Sequence, residues 1–362
     1  MIAPASQRPS NDEPMTLTIG RCGAAEIEDV LQFIDEHWAH GHVLATCRPL
    51  LDWQHRDADG TYSVIVARRS TDRAVLGILG YIPTRRFDAG LADQNVVWLT
   101  TWKVRDDAGV AGLGLTLVHH LRAIEPHVAI GAIGLNPATA PIYEALGYRV
   151  GELQHYVRPN VTVDRFELAA LAQPRSARAG SIAPAGAMML SRDDFFERVA
   201  GVDRRARGDS IPQKTPEYFH ARYLCHPLYS YVVVGLVDRG PVVGLLAARV
   251  AEHAGRRALR IVDFLGHAGL LERIGDVVQS LVEAHDAEYA DVYNVGIDPR
   301  TFERAGFTRV DPCGADVVPD HFEPFERRNV RLWFSIKGTG EPVLFKGDAD
   351  QDRPSVVRSG PR

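Results

Sequence analysis

A helix-to-strand turn occurs twice in this chain, and it limits the fold more tightly than any other feature of the sequence. Tyr143-Glu144-Ala145-Leu146-Gly147-Tyr148-Arg149-Val150 lines up with Phe302-Glu303-Arg304-Ala305-Gly306-Phe307-Thr308-Arg309-Val310, and Asn136-Pro137 upstream lines up with Asp298-Pro299. Internal similarity of this kind points to two copies of one supersecondary arrangement. The length of 362 residues agrees; it exceeds one ordinary core and suits two domains of roughly 150 residues each.

Hydrophobic periodicity orders the elements within each copy. Ala24 to Trp38 has helical spacing, with Ile27, Val30, Leu31, Phe33 and Ile34 on one face. Thr61 to Arg68 and Ala74 to Ile82 read as antiparallel strands around a Thr71-Asp72-Arg73 turn, and Asn95 to Arg105 as a third strand. Leu115 to Ile124 is a predicted helix, Val128 to Leu135 a strand, Ala138 to Leu146 a helix capped by Gly147, and Tyr148 to Val157 a strand. The second copy repeats the order. A helix over Arg192 to Val199 precedes strands at Tyr229 to Val237, Val242 to Val250 and Ala258 to Leu265; then follow a helix at Leu270 to Ala284, a strand around Asp291 to Val295, a helix at Pro299 to Arg304 and a last strand. The boundaries this implies are a disordered leader (1–15), a first domain (16–168), an Ala/Pro/Ser/Arg/Gly-rich linker (169–187), a second domain (188–345) and a carboxy-terminal tail (346–362).

Bulk properties narrow the function classes. A net charge of -5 gives no overall attraction for nucleic acid or an anionic membrane, so any phosphate recognition must be local. Cys22, Cys47, Cys225 and Cys313 form no C-x-x-C pair and are expected as reduced thiols in the cytoplasm. No segment approaches the roughly 20 apolar residues of a membrane span.

Gly109-Val110-Ala111-Gly112-Leu113-Gly114 stands between a strand and a helix. Pyrophosphate needs converging backbone N–H groups with no side chains in the way, and glycines leading into a helix N-terminus supply them. A tight strand-to-helix turn uses the same glycines, so the loop alone decides little.

Followed by Asn136, Tyr143 and Leu146-Gly147-Tyr148, the loop resembles that of the GNAT acyltransferase superfamily, whose pattern is Arg/Gln-x-x-Gly-x-Gly/Ala, then Asn, then a helix with Tyr ending in Leu-Gly-Phe/Tyr. Gly109 stands where that family has Arg or Gln. The likeness covers about residues 16 to 165. It implies an α/β (α+β) fold of two tandem GNAT-like domains, each a mixed, mostly antiparallel sheet flanked by helices, with the second copy degenerate because it has no phosphate loop. It also implies acetyl-CoA as co-substrate, held by Gly109 to Gly114 and Asn136 in the splay between two strands. Backbone N–H groups of Lys103, Val104 and Arg105 would polarise the thioester carbonyl, and Tyr143 would protonate the leaving thiolate. Asn136 has a second reading as a helix cap.

The resemblance implies an acyltransferase, an N-acetyltransferase acting on a small-molecule amine; its base is not identifiable, since Val96 to Val104 contains no carboxylate. His37-Trp38-Ala39-His40-Gly41-His42 and Asp52-Trp53-Gln54-His55 fall where the family lines its acceptor site, which places His42, Trp53, Gln54 and His55 there. Aromatic and polar groups together suit an amino sugar. The histidines invite a metal reading, but no carboxylate partner accompanies them and no metal is expected. Pro319-Asp320-His321-Phe322-Glu323-Pro324-Phe325 and the aspartate-rich end resemble segments of tandem GNAT-like proteins of bacterial surface-polysaccharide biosynthesis; the plain alternative for the end is a solvated acidic tail. Rival readings are an aminoacyl or small-thiol acyltransferase of the tandem type and a non-catalytic GNAT-fold binding module. Self-association as a homodimer is left open.

Overall fold

Successive residues of the strand Val96–Val104 point to opposite faces: Val97 and Leu99 enter one apolar cluster and Trp98 another. A strand buried on both sides needs helices on both sides. The computed structural model describes residues 16–171, 183–203 and 207–352; the expected leader, most of the expected linker and the end of the expected tail lie outside them.

In the first half, β1 (Leu17–Cys22), β2 (Tyr62–Arg69), β3 (Val75–Pro83), β4 (Val96–Val104) and β5 (Ala129–Ile133) lie side by side in that order. Helices α1 (Ile27–His37) and α2 (Arg48–His55) cover one face through Ile27, Val30, Phe33, Leu50 and Leu51. Helices α3 (Leu113–Ile124) and α4 (Ala140–Ala145) cover the other through Leu113, Leu117, Val118, Leu121 and Tyr143. The first half closes with β6 (Arg149–Pro159).

The second half builds β7 (Gly186–Met189), β8 (Tyr231–Val237), β9 (Val242–His253), β10 (Arg256–Leu265) and β11 (Ala287–Val295), with α5 (Gly275–Ala284) and α6 (Pro299–Arg304) packed against β10 and β11. Its last strands are β12 (Thr308–Arg309), β13 (Leu332–Gly338) and β14 (Leu344–Phe345). The expected helix over Leu270 to Ala284 is two helices, because the chain turns at Arg273, whose side chain donates to the carbonyls of Ala183 and Pro184 and pairs with Asp238. The helix expected over Arg192 to Val199 shrinks to Phe195–Arg198.

The repeated turn has the same hydrogen bonds in both copies. Gly147 has φ +80° and Gly306 φ +84°, the left-handed backbone that favours glycine. Tyr148 N–H donates to Tyr143 O at 3.0 Å and Phe307 N–H to Phe302 O at 2.9 Å, the closing bond of each helix.

The two halves share one 14-stranded sheet, twelve of whose strands are ordered β1-β2-β3-β4-β5-β13-β6-β11-β10-β9-β8-β7, while β12 pairs with β6 and β14 with β11 off that path. Strand β13, expected within the second domain, inserts between β5 and β6 of the first. Strand β6 then crosses over. Arg149 to Leu153 pair with β13, while Gln154 to Pro159 pair with β11.

The segment after β13 is not a solvated tail, because its charges have partners deep in the protein. Strand β14 pairs with Asn294 and Val295 of β11, and a turn over Lys346–Asp348 follows. Lys214, fully buried, pairs with Asp263 and, at 2.7 Å, with Asp348. Burial and the neighbouring Asp263 push the Asp348 carboxyl up, against the pull of Lys214. Arg222 donates to the carbonyls of Gly347 and Ala349, and Asp352 accepts from Tyr231 at 2.7 Å and pairs with Arg249. Removing one partner of a buried pair leaves an uncompensated charge. Lys214→Met is therefore expected to destabilise the protein by about 3–5 kcal/mol in denaturant unfolding.

His226 sits between the halves, its ring 4.5 Å from Trp53 and stacked on Tyr229. Burial, reinforced by Arg222, lowers its pKa from 6.5 to about 3, so the folded state keeps it neutral. The unfolded chain takes up this proton as pH falls below 6.5, so the stability His226 contributes is present above 6.5 and is lost progressively towards about 3. In thermal melts across that interval His226→Asn is expected to lose less Tm than the wild type. A pH-independent difference between the two would refute it.

Candidate functional site

Strands β4 and β5 are parallel neighbours only over Val96, Val97 and Trp98, which pair with Ala129, Ile130 and Gly131. Beyond that point they separate. The β3–β4 register slips by one between Leu79/Trp102 and Tyr81/Leu99, so β4 carries an extra residue in the Thr100-Thr101 region. A bulge bends the strand that carries it, and the gap opens beside the bend. The resulting cleft of about 330 Å³ is lined by Leu99 to Trp102, by Ala132 to Asn136, and by Trp38, Thr139, Tyr143, Asp350 and Gln351.

Across Trp102 from this cleft is the start of α3. Gly109 and Gly112 both have left-handed backbone, φ +69° and +75°. The first intrahelical bond runs from Thr116 N–H to Gly112 O at 3.1 Å, so the N–H groups of Leu113, Gly114 and Leu115 have no acceptor within the helix. No side chain caps this helix and its first turn has no acid. That is a site for an anion. Val110 is half-buried and Ala111 exposed, while the Leu113 side chain is buried in the core and leaves only its backbone to the loop. A Cβ on Gly114 would lie 3.2 Å from the Trp102 indole nitrogen, so the indole lies directly over the helix start.

Trp102 also lines the cleft itself. Its ring meets Tyr143 edge-on at 6.2 Å, and Tyr143 in turn meets Tyr148 at 5.3 Å. Burial, helped by Tyr148, pushes the Tyr143 phenol up to about 12. The phenol is neutral at any ordinary pH. Transfer of its proton to a thiolate of reference pKa about 8.5 runs uphill, so its favourable contribution is a hydrogen bond to developing negative charge.

Of the three backbone groups expected to face a thioester, Arg105 is excluded: its N–H donates to Leu76 O at 2.9 Å. Alternation along the β3–β4 ladder commits Lys103 to Ile78 in the same way and turns Val104 and Trp102 towards the gap. The side chains of Lys103 and Arg105 are engaged too, by Asp106 at 2.8 Å and Asp107 at 2.6 Å. Asn136 lines the cleft, and its Oδ1 accepts from Ala138 N–H at 3.0 Å, so the capping role is present.

The expected acceptor residues are not assembled here. His42 is buried and caps the short helix Val43–Thr46 by accepting from Leu44 N–H. Gln54 and His55 are buried against each other, and His55 Nδ1 lies 2.9 Å from Ser63 Oγ. Trp53 packs on Phe87 and lies under the Arg222 guanidinium; it lines a separate cavity of about 680 Å³ with Arg21, Arg56, Arg85 and Arg86. Short polar side chains on helices facing the sheet become core hydrogen bonds, which the local sequence does not distinguish from a binding set. The cleft holds other residues instead. Thr101 lines it with a buried hydroxyl that has no hydrogen-bond partner, and Asp350 and Gln351 enter it from the far end of the chain. Charges inside otherwise apolar strands, Arg249 and Asp263, are the sequence signal that a charged segment elsewhere had to be buried with them.

No family model matches the sequence, and no curated protein matches it. Among solved structures the chain is similar to a GCN5-related N-acetyltransferase from Anabaena variabilis, with TM-score 0.52 and 11% identity over 89% of this chain and 73% of that one. It is also similar to Saccharomyces cerevisiae N-myristoyltransferase with bound myristoyl-CoA, with TM-score 0.51 and 12% identity over 98% and 89%. The chain has a tandem GNAT fold. Within it, the two halves differ at the splay. In the second GNAT half the gap between β10 and β11 is filled by the protein itself: β14 pairs with β11, and Gly347 packs so closely on β10 that a Cβ would lie 2.7 Å from Val262 O. Among the described residues no group of three or more His, Cys, Asp or Glu is arranged to hold a metal ion.

Proposed function

We propose that this protein is an acyl-CoA-dependent N-acyltransferase that uses the cleft of its first half. The single observation that carries the reading is the position of Trp102: it lines the open strand splay together with the neutral, buried Tyr143, and its indole lies against Gly114 at an uncapped helix N-terminus. Pyrophosphate would accept from the N–H groups at the start of α3, the pantetheine arm would run along β4 and Asn136, and the thioester carbonyl would face the N–H groups of Trp102 and Val104. Tyr143 would stabilise the leaving sulfur. The cleft is at the low end of the roughly 300–1,000 Å³ of ligand pockets, which favours acetyl as the acyl group. An amino sugar is the acceptor we favour: Trp38, 46% exposed at the edge of the cleft, offers an indole face for a sugar ring, with the amide group of Gln351 for its hydroxyls. All four cysteines are free, which fits a reducing cytoplasm, and no helix among the described residues is long and apolar enough to cross a membrane.

One observation favours a second reading, a non-catalytic GNAT-fold binding module that has lost CoA. The cations beside the phosphate loop, Lys103 and Arg105, are already neutralised by Asp106 and Asp107, and Gly109 supplies no basic side chain. Calorimetric titration separates the two. The enzyme reading expects one acetyl-CoA per chain, because the second splay is filled; no binding refutes it, and two sites refute the filled splay. Tyr143→Phe is expected to lower turnover by about 10²-fold with acetyl-CoA affinity unchanged. An unaltered rate removes Tyr143 from the reaction.

A further inference from the structure

We infer that Asp350, delivered into the first-half cleft by the carboxy-terminal segment, is the general base that takes the proton from the attacking nitrogen. The inference rests on the acyltransferase reading and supplies what β4 lacks, a carboxylate in the splay.

Asp350 lines the same cleft as Tyr143 and Thr101 and is only 6% exposed. Its position is fixed from both sides along the chain. Upstream, Lys214 pairs with Asp348 and Arg222 holds the carbonyls of Gly347 and Ala349; downstream, Arg249 and Tyr231 hold Asp352. Gln351 lies against the backbone just past β5: a Cβ on Gly134 would lie 2.3 Å from the Gln351 side-chain amide. Gln351 Nε2 also donates to Asp350 Oδ1 at 3.1 Å, which orients the carboxylate. A segment anchored by buried charges on either side is a rigid mount, and a base needs one.

In the step, the lone pair of the neutral amine forms the C–N bond to the thioester carbon, and the carbonyl electrons move to oxygen beside the β4 N–H groups. The nitrogen becomes cationic and much more acidic than the free ammonium, and its proton passes to Asp350. As the carbonyl re-forms, the C–S bond breaks with its electron pair on sulfur, beside the Tyr143 hydroxyl. The proton held by Asp350 then leaves through solvent to the thiolate, so amine and thioester give amide and thiol with nothing left over.

The test uses the full-length chain and follows thiol release from acetyl-CoA with two probe amines: methylamine, a cation at neutral pH, and hydroxylamine, which is uncharged there. Asp350→Asn is expected to lower kcat by about 10²-fold or more with both, with Tm and acetyl-CoA affinity as in the wild type and partial recovery in Asp350→Glu. A loss confined to methylamine would reduce Asp350 to an attractor for cations and overturn the base assignment. Wild-type turnover that Asp350→Asn leaves unchanged overturns the assignment alone, whereas a wild-type chain that neither binds nor cleaves acetyl-CoA overturns the acyltransferase reading with it.

Discussion

The structure depends on an exchange of strands. Strand β13 leaves the second half to lie between β5 and β6, and the far part of β6 lies against β11, so each half supplies a central strand to the sheet of the other. An isolated half would expose a strand edge wherever its borrowed strand is missing, with a row of unpaired N–H and C=O groups. The crossing point is also chemically fixed. Arg260 pairs with Asp291 and Asp320, His155 lies 2.9 Å from Asp291, and Lys346 pairs with Asp320, all buried. Burial alone would raise the Asp320 carboxyl; Lys346 and Arg260 outweigh it and hold it far below the usual range.

This exchange explains why two copies of one fold have different clefts. After β13 has crossed into the first sheet, the chain returns through the second half, where β14 pairs with β11 beyond the point at which β10 and β11 separate. The second splay is therefore a passage for the protein's own backbone. The helix start beside it is closed as well: Ala185 N–H donates to Arg273 O, and a Cβ on Gly275 would meet Ala305 O at 3.0 Å. In the first half nothing comparable covers Gly112, where a Cβ would meet no atom within 4 Å.

What was legible in the sequence was local. The turns at Gly147 and Gly306, the hairpin at Thr71-Asp72-Arg73 and the helix Pro299–Arg304 each follow from periodicity and a residue with special backbone freedom, and Arg73 takes φ +63° in that hairpin. The splay, too, followed from the GNAT resemblance. What was not legible depended on partners far along the chain. Leu332–Gly338 belongs to the second half in chain order, and its place between β5 and β6 of the first depends on strands more than 170 residues away. Lys346 to Asp352 reads as a solvated run until Lys214, Arg222 and Arg249 are brought to it. His42, Gln54 and His55 show the opposite case: polar residues that look like a binding set are engaged in a cap and in buried hydrogen bonds.

Charge is distributed along the first-half cleft system in a way that separates its two tasks. Near α3, Lys103 and Arg105 are balanced by Asp106 and Asp107, so what remains for an anion is the helix terminus and backbone, groups that bind phosphate through geometry more than through net charge. At the Tyr143 end the charged group in the lining is Asp350, and its charged neighbours among the described residues, Lys346, Asp348 and Asp352, are paired inside the second half. In the proposed reaction the second half would do for the site what a strand carboxylate does, from outside the sheet proposed to hold the thioester. A cleft assembled in this way is complete only when the end of the chain has been seated through the other half, which ties the chemistry of one copy of the fold to the folding of both.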